Sequence, residues 1–303
     1  RDLTTNRVVK MLARHYEVPE KAVGFAGQKD RRAVTRQFFS VHAPAATPSP
    51  PDLGEDVTVD GIWRHSKRLK TGHLKGNRFR IVVRRTSISP DEASGRAGRF
   101  LLTMAERGMP NFFGPQRFGL DGDTARWGFA LLGCTDVEIP RRVHRSRSLR
   151  RLALSAAQSA IYNRYLSLRM QNGLLRRVLT GDVLVKVDTG GMFNAEEARM
   201  AEEQRRMDAR QIVHAGPMFG RKTFASHSDA RALEESVLQD MSVERSAFSR
   251  HGKLLPGTRR RDLVFPTETS ASVQGDGFVA TFTLPRGSYA TVLIRQITGG
   301  PCG

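Results

Sequence analysis

Cysteine is nearly absent. The 303 residues hold two, Cys134 and Cys302, too few for a zinc cluster or a disulfide framework. The eight histidines are scattered without a His-Glu-x-x-His pattern, and no glycine-rich phosphate loop of the Walker type occurs. Metal, nucleotide and redox chemistry therefore have no support, and no metal ligand set is expected. No apolar run approaches the roughly 18 residues that read as a membrane span. The amino terminus (Arg1-Asp2-Leu3-Thr4) lacks both an initiating methionine and the apolar stretch of a signal peptide. These absences imply a cytoplasmic chain with no membrane partner and no small-molecule cofactor.

Acidic residues are also few. Lys plus Arg total 49 against 30 for Asp plus Glu, a net charge of +19 with a sequence pI of about 11.1. An excess that large points to a polyanionic partner, nucleic acid foremost, although ribosome-associated and membrane-surface proteins share the balance. The charge is spread through a chain that is 39% hydrophobic. That excludes a disordered basic tail and suits one large or two medium domains.

Apolar spacing predicts a helix over residues 3–16, with Thr4 or Thr5 as cap and Val8, Val9, Leu12 and Tyr16 on one face. Phe38-Phe39-Ser40-Val41 reads as a buried strand. Arg78–Arg85 alternates Phe79, Ile81 and Val83 with Arg80 and Arg84, the period of a sheet with one wet face. Ala43–Pro51 is proline-rich and reads as an exposed loop. A second helix is predicted over Pro90–Arg107, ending at Gly108 before the loop GMPNFFGPQRFG. The Arg-rich stretch PRRVHRSRSLRR (Pro140–Arg151) marks a change of composition. After it comes a helix with Leu152, Ala156, Ala160 and Leu166 inward. Ala230–Met241 is amphipathic as well. Gly277–Leu284 alternates strictly. With Pro285-Arg286-Gly287 as a turn and Tyr289–Ile297 as a second strand, it suggests an antiparallel hairpin.

One carboxylate stands in a distinctive setting. Asp30 follows a Gly-x-x-Gly turn (Gly24–Gly27) and sits between Lys29 and Arg31-Arg32. Adjacent cations favour an ionised carboxylate and would hold it beside an anionic substrate. Read alone, it is more often a solvated loop aspartate paired with its neighbours. By the same standard Asn111 after Pro110 is a turn former and Phe113 a core aromatic, while Tyr289 is equally an inward-packing residue or an outward one.

Together, GFAGQKDRRAVT (Gly24–Thr35), PNFFGPQRFG (Pro110–Gly119) and LPRGSYATVLIRQI (Leu284–Ile297) resemble the TruD family of tRNA pseudouridine synthases. LKGNRF (Leu74–Phe79), LSAAQSAIYNRYL (Leu154–Leu166) and AGPMFG (Ala215–Gly220) match in the same order. The resemblance runs from Asp2 to about Thr298. It implies a mixed α/β (α+β) fold with a discontinuous catalytic domain, 1–139 and 256–303, on a largely antiparallel sheet. An inserted α/β lobe, the TRUD domain, would occupy 140–255. It also implies a segment before the first helix, with a pocket-lining phenylalanine, that is missing here.

The implied reaction isomerises uridine to pseudouridine at tRNA position 13, in the D arm, without a cofactor. Asp30 takes the place of the catalytic aspartate, attacking base or sugar or removing a proton. The target nucleotide must leave its stack, and Asn111, Phe113 and Tyr289 match positions that contact it. Phe113 would stack on the base. Tyr289 stands where the family usually has phenylalanine. Lys75, Arg117, Arg141, Arg142, Arg145, Arg147, Arg150 and Arg151 are candidates for the RNA backbone. A monomer acting on tRNA is expected. The reading from a different class is a non-catalytic RNA-binding or RNA-chaperone protein that retains the fold.

Overall fold

The computed structural model describes residues 3–42 and 50–300. The chain divides into two compact units, one up to Asn77 and the other from Arg78 onward. This division does not coincide with the boundaries near 140 and 255 expected from sequence.

In the first unit, α1 (Thr5–His15) is capped by Thr4, whose hydroxyl accepts from the Arg7 amide. This satisfies one of the donors that a helix start leaves unpaired. Val9, Leu12 and Ala13 of α1 pack with Val23 and Leu53 into a small core of the unit's own. β1 (Val23–Phe25) pairs antiparallel with β2 (Phe39–Val41). A Cβ at Gly24 would lie 2.3 Å from the Leu69 carbonyl and 2.6 Å from Ser40 Oγ, so only glycine fits this approach. The strand expected from Phe38 is present as β2, but it is half-buried and Phe38 is exposed, edge-on to Trp63. The proline-rich loop lies outside the described residues except for Pro50, which is exposed, and Pro51, which is buried.

The second unit carries the main core. β3 (Gly76–Val83) leads into α2 (Pro90–Arg107), capped by Ser89 with Pro90 in its first turn and stopped at Gly108. Next come β4 (Met109–Pro110), α3 (Asp123–Leu132), the short α4 (Arg141–Arg145) and the long α5 (Arg147–Gln171). Then follow β5 (Val183–Lys186), β6 (Met192–Asn194), α6 (Met200–Asp208), β7 (Ile212–Met218) and α7 (Ser228–Asp240). The chain closes with β8 (Thr258–Arg261), β9 (Leu263–Val264), β10 (Thr267–Gln274), β11 (Gly277–Pro285) and α8 (Ala290–Ile297).

β1–β2, β10–β11, β4–β9, β5–β6, β5–β7 and β7–β8 pair antiparallel, as expected of this mixed α/β fold. One sheet runs β10–β11–β3 and another β6–β5–β7–β8. β7 meets β5 over Ile212–His214 and β8 over Ala215–Met218, so Pro217, which has no N–H, falls where β5 has already ended.

α5 runs through the middle of the unit. Leu154, Ala157, Ile161, Tyr162, Tyr165 and Leu166 share one core with Leu101 of α2, Phe248, and Phe282 of β11. Leu152, expected inward, is 46% exposed. The helix begins four residues earlier than Arg151, at Arg147 with Ser146 as cap, and the buried stripe runs from Ala153 and Leu154. Arg169 on α5 is fully buried. It meets Asp182 bidentately (2.8 and 2.6 Å) and also donates to Tyr165 Oη and to the Leu174 and Arg177 carbonyls. Burial opposes its charge, but Tyr165 and Asp182 outweigh it and raise the pKa.

The carboxy-terminal hairpin differs from expectation. β11 is there, but its partner is the preceding β10, and Tyr289–Ile297 is not a strand: Tyr289 caps α8. Ala290, Leu293, Ile294 and Ile297 recur at helical spacing and all pack on the core, and this outweighs the β-branched content. β10 (TETSASVQ) escaped notice because its side chains are mostly exposed and polar, with Ala271 packed on the core.

Candidate functional site

Asp30 lies on the connection between β1 and β2, and its side chain is exposed. The loop is fixed just before it. The Lys29 amide donates to Thr5 Oγ1 at 2.9 Å, and Lys29 Nζ donates to Asn77 Oδ1. The Gly72 amide donates to the Ala26 carbonyl at 3.1 Å. Partial burial lowers the Lys29 pKa, and the neighbouring Asp30 charge pulls it back up. The carboxylate thus stands on an anchored backbone beside a held ammonium group.

In the second unit Asn111, Phe113 and Tyr289 come together. β4 pairs with β9, Met109 opposite Val264 and Pro110 opposite Leu263, which places Asn111 at the end of a two-residue ladder. Asn111 is 4% exposed. Its Nδ2 donates to the Arg261 carbonyl at 2.8 Å, and its Oδ1 accepts from Arg260 Nη2 at 2.7 Å. Both ends of the amide are therefore engaged inside the protein, and a contact with a uracil edge would have to share or exchange one of these bonds. Phe113 is buried. Its ring lies edge-on to Tyr162 (5.6 Å between centroids) and to Tyr289 (5.7 Å), with the Arg260 guanidinium 3.9 Å from its centroid. The amide of Phe113 donates to Asn163 Oδ1 at 2.9 Å, and the Asn163 amide returns a bond to the Phe113 carbonyl at 3.0 Å. Tyr289 is half-buried at the head of α8.

Arg260, which sequence reading passed over, links these residues. Besides Asn111 Oδ1 it donates from Nε to the Asn111 carbonyl (3.0 Å) and from Nη1 to the Gly287 carbonyl (2.9 Å). Burial lowers its pKa from the ordinary value, while Tyr162, Tyr289 and Asp262 pull it up. A guanidinium stays protonated throughout. Behind it lies a buried pair, His214 and Asp262. His214 Nδ1 is 2.5 Å from Asp262 Oδ2 and Nε2 is 2.7 Å from the Leu175 carbonyl, while the Gly216 amide donates to Asp262 Oδ1 at 2.8 Å.

Comparison with known proteins decides the family. The model of the family "tRNA pseudouridine synthase D (TruD)" matches residues 1–133 and 143–297. This chain belongs to the TruD family. A tRNA pseudouridine synthase D of Anaeromyxobacter sp. (strain Fw109-5) is 41% identical over 298 residues, covering 98% of this chain and 82% of the relative. Its counterpart from Thermus thermophilus is 37% identical, over 97% and 78%. The fold agrees with the crystal structure of a candidate TruD from Methanosarcina mazei, with a TM-score of 0.77 at 24% identity, covering 99% of this chain and 86% of that one.

The basic residues of this TruD chain sort by exposure. Lys75, Arg141, Arg142, Arg145, Arg147 and Arg151 are exposed, while Arg117 and Arg150 are half-buried. The Arg-rich stretch is not a linker but two successive helix starts, α4 and α5, with no acidic residue in either first turn. Arg142 lies 5.7 Å from the Trp127 ring. None of its six arginines pairs with a carboxylate among the described residues, and the five other than Arg150 present their positive charge to solvent. Arg260 was missed because it sits in Arg259-Arg260-Arg261, where charge alone does not tell an inward guanidinium from a solvated one. Nothing local to the sequence signals that Asn111 is its acceptor.

Proposed function

We propose that this chain isomerises uridine to pseudouridine in tRNA, at position 13 of the D arm, with Asp30 as the catalytic carboxylate. The observation that carries the reading is the family match across nearly the whole chain, including the Asp30, Asn111 and Tyr289 segments. The N-glycosidic bond of the target uridine breaks, the uracil turns over, and C5 bonds to the sugar. C5 loses a proton and N1 gains one, so no electrons enter or leave. Asp30 attacks base or sugar, or moves the proton. Its loop is held at Lys29 by Thr5 and Asn77, so the backbone next to the carboxylate is already placed before reaction. The Asn111–Phe113–Tyr289 cluster is proposed to receive the extruded nucleotide. The exposed arginines of α4 and α5 would hold the RNA backbone.

The chain is proposed to act as a cytoplasmic monomer; no helix among the described residues is long and apolar enough to cross a membrane. We also take 140–255 as the inserted lobe. Its sheet shares β8 (Thr258–Arg261) with the flanking segment, so the two would fold together.

Asp30→Asn tests the assignment. Pseudouridine in a tRNA transcript, mapped by carbodiimide-dependent primer stops, should vanish at position 13 while tRNA binding stays within about twofold, since an exposed loop carboxylate contributes little to the fold. Undiminished product from the variant would remove Asp30 from the chemistry. Product at another position would move the target.

A further inference from the structure

Where this fold buries a guanidinium deepest, a carboxylate meets it, as in Arg169 with Asp182 and Arg259 with Glu234. The two guanidinium groups on Phe113 are different. Arg260 lies 3.9 Å and Arg117 5.5 Å from the ring centroid, both half-buried, and neither forms a salt bridge among the described residues. Both are held by neutral acceptors. For Arg260 these are the Asn111 and Gly287 carbonyls and the Asn111 amide oxygen. For Arg117 they are Ser159 Oγ (3.1 Å) and Ser155 Oγ. Asp262, the carboxylate in this neighbourhood, is already bonded to His214 and to the Gly216 amide.

Two partly desolvated positive charges, each within 5.5 Å of one ring centroid, repel each other. Serine hydroxyls and carbonyls orient them without neutralising them. Neither exhausts its five N–H donors. The arrangement lacks an anion with several acceptor oxygens, and the planar fork of arginine matches a phosphate best.

We propose that Arg260 and Arg117 together bind one backbone phosphate of the RNA, at the Phe113 ring. The proposal rests on the reading above for the nature of the ligand. It gives Arg260 and Arg117 a shared role that composition could not assign, and it ties the phosphate to Asn111 and to the Gly287 turn through the same guanidinium. Docking of the backbone there would set the neighbouring nucleotide against Tyr289.

The test measures binding of a tRNA transcript from about 50 to 400 mM KCl, alongside pseudouridine formation, for the wild type and for Arg260→Gln, Arg260→Lys and Arg117→Gln. Losing one phosphate contact should reduce the slope of log K against log[salt] by about one and weaken low-salt binding about tenfold. Lysine at 260 should keep the slope. Neutral methylphosphonate linkages scanned along the D arm should reveal one position that weakens the wild type and adds nothing to Arg117→Gln. Should Arg260→Gln fail to fold, Arg117→Gln and the linkage scan decide. Wild-type slopes in the folded glutamine variants, or linkage effects equal in wild type and variant, overturn the site. A wild type that binds with the expected slope yet forms no pseudouridine instead overturns the functional reading and leaves the phosphate site standing.

Discussion

Replacing Asn111 by alanine separates scaffold from chemistry. The side chain makes two bonds at a site 4% exposed to solvent, so water does not replace them. The bond from Arg260 Nη2 is charge-assisted, worth about 1.5–3 kcal/mol. The bond to the Arg261 carbonyl is worth less on its own, because that oxygen also accepts from Tyr162 Oη at 3.1 Å. A loss of about 2–4 kcal/mol follows, or about 4–16 °C in Tm for a unit of this size.

The shared carbonyl makes the prediction sharper. Tyr162→Phe alone leaves the Arg261 oxygen bonded to Asn111, and Asn111→Ala alone leaves it bonded to Tyr162. The double variant strips both, so its destabilisation should exceed the sum of the singles by about 1–3 kcal/mol. Thermal unfolding followed by circular dichroism, over the four proteins of the cycle, measures the coupling. A shift below about 1 °C for Asn111→Ala, where at least about 4 °C is expected, would mean that Asn111 does not hold Arg260. Strict additivity would mean that the two side chains do not share an acceptor.

Three further outcomes follow from the geometry. His251 Nε2 donates to the Leu131 carbonyl at 3.0 Å, and burial, with Arg150 and Arg250 nearby, lowers its pKa from 6.5. The unfolded chain therefore takes up the proton first, so stability present at pH 7.5 is lost as pH falls below about 6.5. His251→Gln should flatten Tm between pH 7.5 and 5.5, and an unchanged slope would discount the residue. Gly128 of α3 lies against α5, where a Cβ would sit 2.1 Å from the Ala153 carbonyl oxygen. Gly128→Ala should cost about 1–3 kcal/mol or more in urea unfolding, because backbone has to move; a neutral result would place the helices farther apart. Burial, with Glu244 beside it, raises the pKa of the Cys134 thiol above 9.0. Its alkylation by iodoacetamide at pH 8 should run slower than that of a free cysteine peptide, with the midpoint of the rate profile shifted upward; a faster rate would contradict the shift.

The elements legible in the sequence are those whose burial is one-sided. α1, α2 and α7 show an apolar stripe with a polar back, and β11 shows strict alternation, because in each a single face meets the core. The misreadings occur where that condition fails. β7 (IVHAGPM) went unassigned: it is buried on every residue, so it has no period, and it contains Gly216 and Pro217. Gly216 is needed there, since a Cβ would meet Tyr165 Cε1 at 2.6 Å and Asp262 Oδ1 at 2.7 Å. In α8 both periods could be fitted to eight β-rich residues, and only packing against the core selects the helix.

The site was legible only in part, for a related reason. Asp30, Asn111, Phe113 and Tyr289 were singled out as candidates through contiguous motifs, yet what sets their environment is non-local. Arg260 lies 149 positions from its Asn111 acceptor, and Asp262 lies 48 from His214. A sequence shows charge as a count, whereas its effect depends on which guanidinium groups meet carboxylates and which do not. In a chain with 19 more basic than acidic side chains, some cations must go without acidic partners. Most of them, like Arg141, Arg142, Arg145, Arg147 and Arg151 at the starts of α4 and α5, stay in water, where this costs little. Arg260 and Arg117 are instead half-buried against Phe113, where the missing counter-charge costs more. For a binding protein such a cost is tolerable when the ligand brings the missing charge, so stability and RNA affinity should be linked at this one point: tRNA should raise the Tm of the wild type more than that of Arg117→Gln.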